Sequence, residues 1–180
     1  MTTSKQPETT PQVGGVTGDE RSDLLATLAL HRGFLRYTIR GLTDDQAAQR
    51  TTVSELTLGG LVKHVAATEA QWVKFVVGGA EAMFDEEAGE DWADGFRMVE
   101  GETVQGLLGE YDAVARRTEE AVAEVADLGA AWPLPEAPWF EPGAAWSARR
   151  VLYHLIAETA QHSGHADIIR ESLDGAKTMA

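Results

Sequence analysis

The sequence predicts an all-α protein built as a four-helix bundle, and three observations carry that prediction. Apolar residues recur at spacings of three and four in four separate stretches of roughly 20 to 27 residues, the period of an amphipathic helix. Capping and stop residues punctuate these stretches: Thr57 and Ser147 stand where helices start, Gly78-Gly79 and Asp174-Gly175 where they stop. No stretch shows strand-like alternation, and no internal repeat is evident.

Taken in order, residues 1 to 18 are rich in Thr, Pro, Gln and Gly without hydrophobic periodicity, the composition of a disordered leader. The bundle domain then spans residues 19 to 175, a length that buries its own core, and 176 to 180 form a tail. The first helix runs from about Asp19 to Leu42, with Leu24, Leu28, His31, Leu35, Thr38 and Leu42 as a heptad-like stripe; Thr43-Asp44-Asp45 offers a stop and a capping turn. Here His31 takes a core position and reads as a hydrogen-bonded core histidine rather than part of a pocket.

The second helix covers about Thr57 to Val77, where Leu61, His64, Val65, Thr68, Trp72 and Phe75 share one side. A third spans about Glu102 to Asp127, carried by Val104, Leu107, Leu108, Tyr111, Val114, Thr118, Val122 and Val125. The fourth starts at the Ser147 N-cap and runs to about Leu173. Before it lies AAWPLPEAPWFEPGAAW, 130 to 146, whose four prolines exclude helix. Its tryptophans, Trp132, Trp139 and Trp146, suggest a loop packed over other structure. They and the segment around Trp92 and Phe96 either cover a site or simply fill hydrophobic space.

Composition narrows the function. There are 29 acidic and 15 basic residues, a formal charge of −14, which repels phosphate backbones and anionic membranes and disfavours nucleic acid as a partner. Much of the excess sits in EAMFDEEAGEDWAD, 81 to 94, which reads as a solvated loop. Cysteine is absent, so no disulfide, thiolate ligand or cysteine nucleophile is available, and any metal must be held by His, Asp, Glu and water. With no signal-peptide pattern and no apolar run near the roughly 18 residues that span a bilayer, the expected location is the cytoplasm.

The chemistry concentrates in HLIAETAQHSGHADIIRE, 154 to 171. His154, Glu158, His162 and His165 follow one another at spacings of 4, 4 and 3, which confines them to an arc of roughly 80° shared with Val151 and Ile169. A carboxylate on such a core-facing arc must be neutralised. A divalent cation held by Glu158 and His162, one turn apart, with His64 from the second helix as third ligand, would do so and leave positions open for substrate. A buried network in which Glu158 pairs with His154 or His162 answers the same need without metal.

Two stretches, LTLGGLVKHVAATEAQW (56 to 72) and SARRVLYHLIAETAQHSGHADIIRE (147 to 171), resemble the actinobacterial branch of the DinB-like superfamily. These domains of unknown function are related to mycothiol- and bacillithiol-dependent enzymes. The resemblance extends over roughly residues 20 to 175, including GETVQGLLGEYDAV. It implies a four-helix bundle holding a divalent metal, often zinc or nickel, through one His on the second helix and two ligands one turn apart on the fourth. Those positions are His64 in LVKHV and Glu158 and His162 in ETAQH. Glu at the first fourth-helix position is also the pattern of mycothiol-dependent maleylpyruvate isomerases, which are similar here. His165 stands where relatives commonly carry Gln in an H-R-G-Q motif, a position that lines the site; a fourth-ligand role stays open.

The resemblance thus implies a metal-dependent thiol-cofactor enzyme, an S-transferase or isomerase in which mycothiol supplies the sulfur and a small electrophile receives it. His165 and His154 are the candidates for moving protons or orienting ligands, and Arg36 and Arg149 for recognising cofactor carboxylates. Two rivals share the same ligands: a non-catalytic metal-binding stress-response or interaction bundle, and a hydrolase using metal-bound hydroxide. Ala- and Val-rich faces on the third helix would allow a homodimer.

Overall fold

The computed structural model describes residues 18–83 and 92–178. Residues 1–17 of the expected leader, most of the acidic run and the last two residues of the tail therefore lie outside the described residues. Among the described residues six α-helices occur in the order α1 (Glu20–Thr38), α2 (Asp44–Ala48), α3 (Leu58–Gly78), α4 (Ala80–Met83), α5 (Val104–Glu124) and α6 (Ala148–Asp174). The four long ones form the bundle: α6 packs on α1 and α3, and α3 packs in turn on α5. No described helix is long and apolar enough to cross a membrane.

Local capping sets the boundaries. Thr57 and Ser147 accept from the backbone N–H three residues on, Gly60 and Arg150 respectively, and Thr103 does the same for Gly106, so α3, α5 and α6 begin one residue after each cap. Thr43 and Gln46 form a capping box that turns the expected stop into the short helix α2. At the far end of α6, Gly175 adopts φ 79° and closes the helix with a left-handed cap.

Three expectations need correction. First, α1 ends at Thr38 rather than Leu42, because the chain turns through Gly41 at φ 68° to reach α2. Second, Arg32 rather than His31 takes the core position: Arg32 is 5% exposed while His31 is half-buried against Phe34. Third, the Pro-rich connection holds a two-stranded antiparallel ribbon, β1 (Ala131–Pro133) and β2 (Ala145–Ser147), with Trp132 opposite Trp146. Pro133 is tolerated because an N–H at its position would face away from β2, and the Leu134 N–H bonds the Ala144 carbonyl at 2.9 Å just beyond it. Trp139 at the loop tip is 77% exposed, whereas Trp146 stacks on Trp72 at 4.7 Å, so only part of the loop is packed down.

The core is divided. One apolar cluster gathers Leu28, Trp72, Phe75, Val122, Leu152 and Leu155; the other gathers Leu35, Leu61, Val65, Leu107, Tyr111 and Ala166. Between them each long helix contributes a buried polar residue: Arg32, Glu69, Thr118 and Thr159. The Arg32 guanidinium grips Glu69 with two hydrogen bonds, Nε to Oε2 at 3.0 Å and Nη2 to Oε1, and the Thr118 hydroxyl donates to Glu69 Oε1 at 2.5 Å. A fork-on-carboxylate pair with a third donor meets the condition under which two buried charges are tolerated.

Candidate metal centre

The candidate site lies where α3 and α6 face each other at the edge of this polar layer. His64 projects from the second turn of α3, and Glu158 and His162 stand one turn apart on α6, as the helical period requires. The Nε2 atoms of both histidines converge on one carboxylate oxygen, Glu158 Oε1, at 3.3 Å from His64 and 3.2 Å from His162. One ligand atom from each of the three falls within 4.8 Å of the others. Their side chains are only 12% to 23% exposed, so the cluster is sheltered yet reachable from solvent.

Electrostatics follow from that geometry. Hydrogen bonds from His162 first and His64 second hold the Glu158 carboxyl well below the usual carboxylate range, outweighing the opposing effect of burial. Glu158 is therefore anionic at neutral pH, with two imidazole nitrogens beside it. Nitrogen, nitrogen and oxygen at this spacing are the donor set of a divalent transition-metal site, and the residues fit such an ion.

Phe96 closes one side. Its ring stacks on His64 with centroids 4.2 Å apart and planes 23° from parallel. The approach depends on Gly59 and Gly60 in the first turn of α3: a Cβ on Gly60 would run into the Phe96 carbonyl, and one on Gly59 into the Met98 side chain. The same segment is fastened by Lys63 to Glu102 at 2.8 Å and by the Val99 N–H to Glu102 Oε2 at 2.8 Å. Sequence reading names Phe96 without deciding between cover and filler; the glycine pair is the signal that points to a close backbone approach. The side chain of Trp92 lies outside what the structure describes.

The other candidates are dispersed around this centre. His165 stands behind His162, Nδ1 to Nδ1 at 3.3 Å, and is not one of the converging ligands. His154, one turn before Glu158, leans edge-on against Trp72 at 5.0 Å and Trp146 at 5.3 Å. Burial pushes its imidazole pKa down, against the pull of the Glu158 charge. Arg36 is paired with Asp112 on α5, and Arg149 with Glu20 at 2.5 and 2.9 Å. Arg149 is also about 13 Å from Glu158 along the helix axis, from the 1.5 Å rise per residue.

Comparison with known proteins decides the kinship. The mycothiol-S-transferase family model matches residues 23–175, nearly the whole described bundle. The chain belongs to that family. The DinB-like resemblance carried by the two motif stretches is thereby borne out. Among solved structures, a conserved protein from Enterococcus faecalis superposes on the mycothiol-S-transferase family member described here with a TM-score of 0.66 at 15% identity. The match covers 89% of this chain and 100% of that one, a likeness of fold alone. No curated protein matches the chain.

Proposed function

We propose that this protein is a divalent-metal-dependent mycothiol S-transferase that joins the thiol of mycothiol to small electrophiles in the cytoplasm, with His64, Glu158 and His162 as the metal ligands. The observation that carries the reading is the convergence of those three side chains, from two helices, on one point in a member of this family. Zinc or nickel suits the donor set. When bound, such an ion would lower the pKa of a nearby thiol and so supply a thiolate near neutral pH.

The chain's own residues do the rest. With no cysteine, the protein offers no competing thiol nucleophile or thiolate ligand, so the reactive sulfur must come from the co-substrate. Two neutral imidazoles and one carboxylate leave a divalent charge only half neutralised, which favours an anionic further ligand. Phe96 shields one side of His64 from water. His154, held toward its neutral form by burial, stands one turn from Glu158 as a base able to take the thiol proton.

The test uses metal-loaded full-length protein, mycothiol and monochlorobimane, with His64→Ala as control. Thiol-dependent turnover that falls by at least 100-fold in His64→Ala is the expected result. Equal turnover in both proteins, or turnover without added thiol, overturns the reading, and the latter outcome favours hydrolysis. Binding alone is checked by melting: zinc at 100 times its Kd adds about 2.7 kcal/mol to the wild type, roughly 5 to 10 °C, and nothing to His64→Ala.

A further inference from the structure

His162 has two ring nitrogens in use. Its Nε2 faces Glu158 Oε1 at 3.2 Å, and its Nδ1 faces Nδ1 of His165 at 3.3 Å, the rings tilted 66° to each other. A contact between two imidazole nitrogens needs one donor and one acceptor. If Nε2 of His162 gives its lone pair to a metal, the ring proton sits on Nδ1, and Nδ1 of His165 is the acceptor. The proton of His165 then rests on its own Nε2, away from the site.

We infer that His165 is a positioning residue: it accepts the Nδ1 proton of His162 and so fixes the tautomer and ring orientation in which Nε2 of His162 points at the metal. The inference rests on the metal-ligand reading of His162. A ligand histidine within a helix needs such a partner from a side chain, because the carbonyls around it are already engaged in the helical ladder. His165 supplies it from the next turn, three residues on, where helical geometry brings side chains together. The position replaces a proton-shuttling role for His165: its nearer nitrogen is committed to His162, and it lies outside the group of atoms that converge on the site.

The experiment measures zinc affinity by competition with a chromophoric chelator, independent of activity, for the full-length wild type, His165→Leu and His165→Gln. Glutamine retains an oxygen that accepts; leucine does not. Expected are a 10- to 100-fold weaker Kd for His165→Leu and recovery to within about threefold for His165→Gln. In the zinc-loaded wild type, nitrogen-15 NMR of the imidazoles shows the His165 proton on Nε2, a readout that needs no variant to fold. Wild-type affinity in His165→Leu, no recovery in His165→Gln, or a His165 proton on Nδ1 overturns the assignment. Absence of zinc binding by the wild type overturns instead the metal reading beneath it.

Discussion

Five residues apart on α3, His64 and Glu69 belong to two clusters that handle charge in opposite ways. Around Glu69 the charge is closed: one guanidinium covers both carboxylate oxygens, a hydroxyl adds a third bond, and Glu69 is 1% exposed. Around His64 the charge is open: Glu158 has two imidazoles on a single oxygen, no guanidinium, and a side chain 23% exposed. A buried ion pair that satisfies itself has no coordination left to offer and serves to lock helices in register. A carboxylate flanked by nitrogens whose protons a metal can displace retains that capacity. The same bundle thus holds a structural acid, Glu69 on α3, and a ligand-ready acid, Glu158 on α6.

Breaking each cluster should therefore give different losses. Glu69→Ala leaves the buried Arg32 with only a long contact to the half-exposed Glu119, 3.5 Å away, and is expected to cost about 3 to 5 kcal/mol in urea unfolding of the metal-free protein. Glu158→Ala exposes two half-sheltered imidazoles to water and is expected to cost about 1 kcal/mol or less, while abolishing the zinc-induced rise in melting temperature. Similar stability losses for the two variants would erase the distinction between closed and open clusters.

A smaller effect separates the site's cover from its ligands. Gly60→Ala places a methyl group where the Phe96 carbonyl lies, so the segment carrying Phe96 must shift off α3. Overpacking of this kind costs about 1 to 3 kcal/mol. Zinc affinity should fall several-fold through the lost stack on His64, without the abolition expected of a ligand variant. Unchanged stability together with unchanged affinity would show that Phe96 does not hold His64 in place.

The open cluster is far more legible in the sequence than the closed one, and the reason is physical. Glu158 and His162 share a turn, and His64 lies on an apolar face of another helix, so helical periodicity alone brings them to one side. Caps such as Thr57 and Ser147 are equally local. Arg32 and Glu69 are 37 residues apart, and an arginine in a helix ordinarily reads as surface because its burial depends on a partner that no local pattern reveals. The buried face keeps Leu24, Leu28, Leu35 and Thr38 of the heptad-like stripe and departs from it at one position, taking Arg32 four residues after Leu28 where the stripe takes His31 three residues after it. The ribbon joining Trp132 to Trp146 is invisible for the same reason: its pairing spans a loop of four prolines with no alternation on either side.

The finest test concerns the edge of the closed cluster. Tyr111 is 1% exposed, and its hydroxyl lies beside Thr159 without completing a well-formed hydrogen bond to it or to any other described residue. Burial pushes its phenol well above the ordinary range, with the Glu69 charge adding to the shift, so the hydroxyl stays protonated beside the Arg32–Glu69 pair. A buried hydroxyl that makes no bond carries a desolvation cost and returns nothing, so its removal is close to neutral. Tyr111→Phe is therefore expected to unfold within about 0.5 kcal/mol of the wild type or to be slightly more stable. A loss above about 1.5 kcal/mol would mean that the hydroxyl is bonded within the layer, and that four polar residues understate how far the closed network extends.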